Sequence, residues 1–268
     1  MERFISNNEE YNKLYNCTAL TPEEWNAFAT PNLAIGLLYG IPSIIYLLLY
    51  IPFLIVMSRR DFMKQSCYKL MFLLGVFDVF GVIFCGIIAG YMTITGNVFC
   101  SSRDLNYLIG TFSTALWACT CSTCVILALN RVMDITMPYR SKQFFDGGRT
   151  YFWYVPPMLW GGYFLIFSYP HMYTSQYYAF FFDPYYGVDS PLIDHRDSSR
   201  PHYVHSVNNI VTLLFLQCLM LCAIIITTTS IYVTMQWVNV STYIIILGQV
   251  TWQAGHGTWL TFKLFTFT

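Results

Sequence analysis

"LAIGLLYGIPSIIYLLLYIPFLIVM", Leu33–Met57, is the stretch whose reading decides the fold. No charge stands between Glu24 and Arg59, and the apolar residues run on continuously instead of alternating. At about 1.5 Å per residue, a helix of about 20 such residues crosses a hydrocarbon core of about 30 Å. A strand of a membrane barrel would alternate apolar and polar positions. Leu33–Met57 is therefore read as a transmembrane helix. The rest of the chain follows suit: apolar residues make up 56% of it and charged residues 10%. Soluble domains carry roughly 25% charge, so 268 residues this poor in charge cannot cover a globule with polar surface. Membrane lipid is the expected surround. The formal net charge of zero, with charges clustered between apolar runs, points to no nucleic-acid partner.

The fold class expected is all-α, a polytopic membrane helix bundle of about six spans. These are 33–57, 70–94, 105–129, 151–170, 210–236 and 241–262, with a tail at 1–32 and a short end at 263–268. Pro42, Pro52, Pro156 and Pro157 fall inside them and predict kinks. The loop after span one holds Arg59, Arg60, Lys64 and Lys69, and the loop after span three holds Arg131, Arg140, Lys142 and Arg149. Eight of the fourteen basic residues thus sit in two short connections. The positive-inside bias places those loops in the cytosol and the acidic tail outside. The tail has no apolar run of its own, so span one is the expected insertion signal in a multi-pass membrane protein.

Of nine cysteines, only Cys17 and Cys100 fall on the exoplasmic side of this topology. An oxidising compartment would join them and clip the tail over the bundle mouth; the alternative is two free thiols. Asn16-Cys17-Thr18 is a glycosylation sequon in the same tail.

A family resemblance then emerges. "SCYKLMFLLGVFD" opening span two, "FC" before span three, "NR" closing it and "FDGGRT" before span four resemble the nematode serpentine receptors of class T. "FFDPYYG", "HSVNN", "LQCLMLC", "YVTMQW" and "GQVTWQAGHGTW" follow in order, so the likeness runs over nearly the whole chain. The resemblance implies a rhodopsin-like seven-helix chemosensory receptor with a small-molecule or peptide ligand. It also implies a heterotrimeric G protein as partner and a plasma or ciliary membrane as its place.

Several residues carry site hypotheses. Asp78 lies mid-membrane in span two, where a charge is expensive and marks function by default. It is read either as a hydrated or cation-bound acid whose occupancy biases two helix packings, as the matching position does in many rhodopsin-like receptors, or as a protonated, hydrogen-bonded core acid. Asn130 and Arg131 stand where such receptors carry an acid–arginine pair. The resemblance implies that Arg131 engages a G protein or a neighbouring helix, but Asn130 forms no ion-pair lock. The alternative is that Arg131 snorkels as a topogenic charge. Tyr169–Tyr186 holds nine aromatics in eighteen residues. Tyr177, Tyr178, Phe181 and Phe182 are candidates to line a ligand mouth, against the alternative of an interfacial aromatic belt. The acids and histidines from Asp183 to His205 show no ligand spacing, so no metal is expected, and His256 reads as a packed polar residue. No cofactor is expected either.

One departure from the family stands out. Residues 210–262 offer length for two spans rather than three. "MQWVNVSTY", Met235–Tyr243, then falls in the cytosol by span counting but outside by likeness to the family's sixth and seventh helices. Between Arg200 and Lys263 no charge decides the matter, and the sequon at Asn239 favours the outside. The expectation is a chain lacking the fifth helix and third cytosolic loop and stopping early at "KLFTFT", hence impaired in signalling. Six spans also suit a transporter or channel, but no Arg-repeat sensor, filter signature or inverted repeat is visible. Paired acids, a Ser–His arrangement and a metal-ligand spacing are also absent from the spans, so an enzyme is not expected.

Overall fold

The computed structural model describes residues 1–6 and 8–190, with two further helical pairs, 230–231 and 243–244. The chain divides into two units, Met1–Asn208 and Asn209–Thr268, and the elements below belong to the first. Spans five and six, "MQWVNVSTY" as a whole, the Asn239 sequon, and His195, His202, His205 and His256 lie outside the described residues.

Among the described residues, three helices are long and apolar enough to cross a membrane. The helix α4, Leu33–Met57, opens at Asn32, whose side-chain oxygen accepts the Ile35 amide at 3.1 Å. It runs unbroken through Pro42 and Pro52. The second span, Ser66–Thr95, is built of α5 (Ser66–Val82), a wide turn over Ile83–Ile88, and α6 (Ala89–Thr95). Such wide turns leave carbonyls without their usual partners and recur at functional sites. The third, α7 (Arg103–Thr136), is 34 residues long.

Span four is built differently from a uniform helix over 151–170. Tight turns over Gly147–Tyr154 lead into α9, Val155–Phe167, which has only 13 residues. Its α-helical part rises about 20 Å, and the eight residues of 3₁₀ geometry before it rise about 16 Å along their own axis. Pro156 and Pro157 sit in the first turn of α9, where a missing amide donor costs nothing. They start a helix where a mid-helix kink was expected.

Burial orders the bundle from the inside out. Half of α7's most apolar window is buried, against 11% for α4. Leu38 and Leu48 of α4 are 67% and 65% exposed, as a helix facing lipid should be. α7 packs on both α9 and α5, whereas α4 packs on the second span. The α4 contact is close because its residues are small. A Cβ on Gly36 would lie 2.8 Å from the Gly90 carbonyl oxygen, and one on Gly90 would lie 2.8 Å from that of Gly36. Gly36 and Gly40 on one helix, with Gly86 and Gly90 on the other, form the small-xxx-small pattern that lets membrane helices touch backbone to backbone.

The tail forms three short helices, α1 (Glu2–Ile5), α2 (Asn8–Leu14) and α3 (Pro22–Ala27). α3 opens on a capping box between Thr21 and Glu24. The hydrogen bonds from Thr21 hold the Glu24 carboxyl below its ordinary range. After span four an antiparallel hairpin pairs β1 (Met172–Thr174) with β2 (Ala179–Phe181). This small sheet was not foreseen in an all-helical reading.

Candidate functional site

Asp78 sits on α5, and Tyr50 of α4 donates a hydrogen bond to its Oδ2 at 3.0 Å. The pair faces a cavity of about 480 Å³ walled by the first three spans. Tyr50, Phe77 and Trp117 supply aromatic walls, and Ser43, Ser113 and Thr120 supply hydroxyls. Among the described residues that line it there is neither lysine, arginine nor histidine. Cavities of roughly 300–1,000 Å³ with apolar walls and a few polar groups are the usual form of a small-molecule site. Tyr50 was not singled out from sequence. Its signal was weak, since it is one of four hydroxyl-bearing residues in this apolar helix, with Tyr39, Ser43 and Tyr46.

The tail covers the bundle end that carries the hairpin. Cys17 and Cys100 are joined in a disulfide, with Cα atoms 5.5 Å apart, so the free-thiol alternative is set aside. Around it Tyr11, Tyr15 and Trp25 of the tail pack with Phe99, Tyr107 and Tyr185. The hydroxyl of Tyr11 donates to Asp104 at 2.9 Å, and that of Tyr185 to the Asn16 carbonyl at 3.0 Å. Burial pushes the phenol of Tyr185 up to about 12. Burial, then the bond to Asp104, raises that of Tyr11 as well. Asn16 itself is exposed, its side-chain oxygen accepting the Thr18 amide at 2.9 Å.

The hairpin is pinned without a disulfide. Asn106, fully buried on α7, accepts the Tyr173 amide at 2.9 Å and donates to the Tyr173 carbonyl at 3.1 Å. Tyr173 reaches on to Thr93 of the second span, and the carbonyl of Tyr178 accepts from Tyr39 of the first at 3.0 Å. Tyr178 holds a φ of 55°, a strained value for a bulky residue. The four proposed mouth aromatics part company. Tyr177 and Phe181 cluster with Tyr186, Phe182 packs against His171, and Tyr178 turns to the first span. Strand alternation explains the split between Phe181 and Phe182. Asn106 was missed because one amide among helical residues carries no sequence signal for a backbone clamp.

At the basic-loop end, Asn130 is fully buried and exchanges hydrogen bonds with Ser66 at 3.1 Å and 3.4 Å. Arg131, the next residue, is exposed. Lys69 was read only as a topogenic charge, yet it is 4% exposed. Its ammonium donates to the Gly147 carbonyl and lies 5.2 Å from the Tyr151 ring centroid. Gly147 has a φ of 59°, which a side chain would disfavour, and this accounts for the glycine in "FDGGRT". Beyond Arg131, Ile135 is 83% and Tyr139 84% exposed. Both flank the junction of α7 with α8, Pro138–Phe145.

Long apolar helices, an acid within one of them and a stapled tail define a polytopic helical membrane protein. The chain belongs to the family described as "Serpentine type 7TM GPCR chemoreceptor Srt", whose pattern matches residues 1–214 and 200–265. It is also similar to serpentine receptor class T-55 of Caenorhabditis elegans, 21% identical over 123 residues. That alignment takes in 45% of this chain and 34% of the relative, so the chain covers about a third of that receptor's length. No solved structure matches it.

Proposed function

We propose that this chain is a chemosensory receptor of the cell surface, at the plasma or ciliary membrane, with its tail outside and its basic loops in the cytosol. A small ligand or cation at Asp78 biases the packing of the spans, and a heterotrimeric G protein reads that bias at the Arg131 end. The observation that carries this reading is the course of α7. One unbroken helix of 34 residues lines the Asp78 cavity through Ser113, Leu116, Trp117 and Thr120 and ends beside the exposed Arg131, Ile135 and Tyr139. A shift at the cavity is thereby a shift at the cytosolic face, which is what a population-shift receptor requires.

The disulfide supports the outward tail, since thiols stay reduced in the cytosol. The exposed, turn-forming sequon at Asn16 supports glycosylation there. The family match falls in two segments meeting at residues 200–214, which supports a junction where helix five and the third cytosolic loop would stand. Ligand-driven movement of helices five and six is the usual output stroke, so the chain as written signals weakly.

The test is G-protein activation by this chain and by a version with a fifth helix and basic loop inserted near Asn209, both exposed to one odorant panel. The expected result is ligand-dependent output from the restored version alone. Equal output from both sinks the impairment, and labelling of an amino-terminal tag only after permeabilisation sinks the orientation.

A further inference from the structure

We infer that the Asp78 cavity is a binding site for a small organic ammonium ion with an apolar body, rather than for a bare metal ion. This deepens the receptor reading and rests on it for its biological meaning, though not for its chemistry. Asp78 has one oxygen satisfied by Tyr50, and no hydrogen-bond partner among the described residues reaches the other. A carboxylate at that depth is stable only with a counter-charge or a proton, and among the described residues the cavity walls supply no basic side chain. A bound cation would supply the counter-charge that these walls do not.

The walls decide which kind of cation. A metal ion needs several oxygen ligands converging at about 2.0–2.6 Å, and a space of about 480 Å³ is far larger than one ion fills. What the cavity offers in quantity is aromatic surface, from Tyr50, Phe77 and Trp117. Aromatic faces attract ammonium groups through their quadrupoles and bury apolar carbon as well. One carboxylate for the charge and aromatic walls for the body are the complement of an alkyl- or arylammonium ion. Gly81 completes the case: it lines the cavity, and a Cβ there would meet nothing within 4 Å. The space beside Asp78 is room that this helix leaves open.

The experiment uses the full chain in lipid nanodiscs, with phenethylamine as probe, phenylethanol as its neutral counterpart and sodium chloride against potassium chloride as the inorganic control. Thermal unfolding reads binding without any G protein, so a failure of signalling leaves this result intact. Phenethylamine is expected to bind at least tenfold more tightly than phenylethanol. Asp78→Asn should erase that preference, and Gly81→Leu, which fills the open space, should weaken phenethylamine at least tenfold with folding retained. If Asp78→Asn does not fold, Gly81→Leu alone decides. Equal binding of amine and alcohol overturns the proposal in favour of an apolar void. Stabilisation by sodium with none by the amine overturns it in favour of a metal site, and no binding of any probe overturns it outright.

Discussion

Spans one and two meet along much of their length, and at two places they do so in opposite ways. On the tail side, Gly36 and Gly90 bring the two backbones into contact. At mid-depth the same helices are joined by the single bond from Tyr50 to Asp78, beside a cavity of about 480 Å³. Lipid tails are as apolar as leucine, so membrane helices gain little from burying oil and much from close van der Waals packing and hydrogen bonds. The glycines take the first route and the acid takes the second. Tail, disulfide and hairpin clamp down over the close-packed end, while the polar contact leaves room beside it. The end that is packed tight and the middle that leaves room are built from one pair of helices.

The comparison breaks most readily at its tight end. Gly90→Leu would drive side-chain carbon into the Gly36 carbonyl, and the expected outcome is loss of the folded protein, measured as monodisperse material in detergent. Wild-type recovery would mean the backbones do not touch. Next, Cys17→Ser opens a link across 83 residues. A loop of that length is worth about 4.5 kcal/mol in the chain-entropy estimate, so unfolding in nanodiscs should occur at a clearly lower temperature, and reductant should do the same to wild type. A variant as stable as wild type would show that the aromatic packing alone holds the tail.

Asn106→Ala sharpens the contrast within the tail-side cap. It leaves the buried amide and carbonyl of Tyr173 unpaired, at about 1–3 kcal/mol for each such group. Hydrogen exchange should accelerate in Met172–Phe181 and not along α4. Unchanged protection would assign the hairpin's position to Tyr173 and Tyr178 instead. The smallest effect belongs to the open middle. Gly81→Ala meets free space, and alanine gains about 0.8–1.0 kcal/mol of helix propensity over glycine. A slightly raised unfolding temperature is expected, and a fall would show that the space beside Asp78 is already filled.

Sequence legibility follows the same physics. Composition revealed the lipid-crossing helices, because charge is excluded wherever lipid is the solvent. It also exposed Asp78, since one acid in an apolar run is conspicuous. The cysteine count narrowed the staple to one pair without choosing between bridge and free thiols. Tyr50 and Gly36 were hidden, because an apolar run shows that a helix meets lipid and not which face meets a neighbour. The hairpin was hidden by its aromatic density, which reads equally as a membrane belt. The buried state of Lys69 was hidden too: the same lysine in a basic loop reads as a surface charge until Gly147 and Tyr151 are seen around it.

By itself, then, the sequence determined the solvent of this protein, its long apolar runs and the lone acid within one of them, because these follow from the transfer energies of single residues. Only the tertiary structure decided which oxygen of Asp78 is satisfied, where two helices touch or part, and what pins the hairpin. Those depend on which side chains face one another, and a transfer energy belongs to one residue at a time.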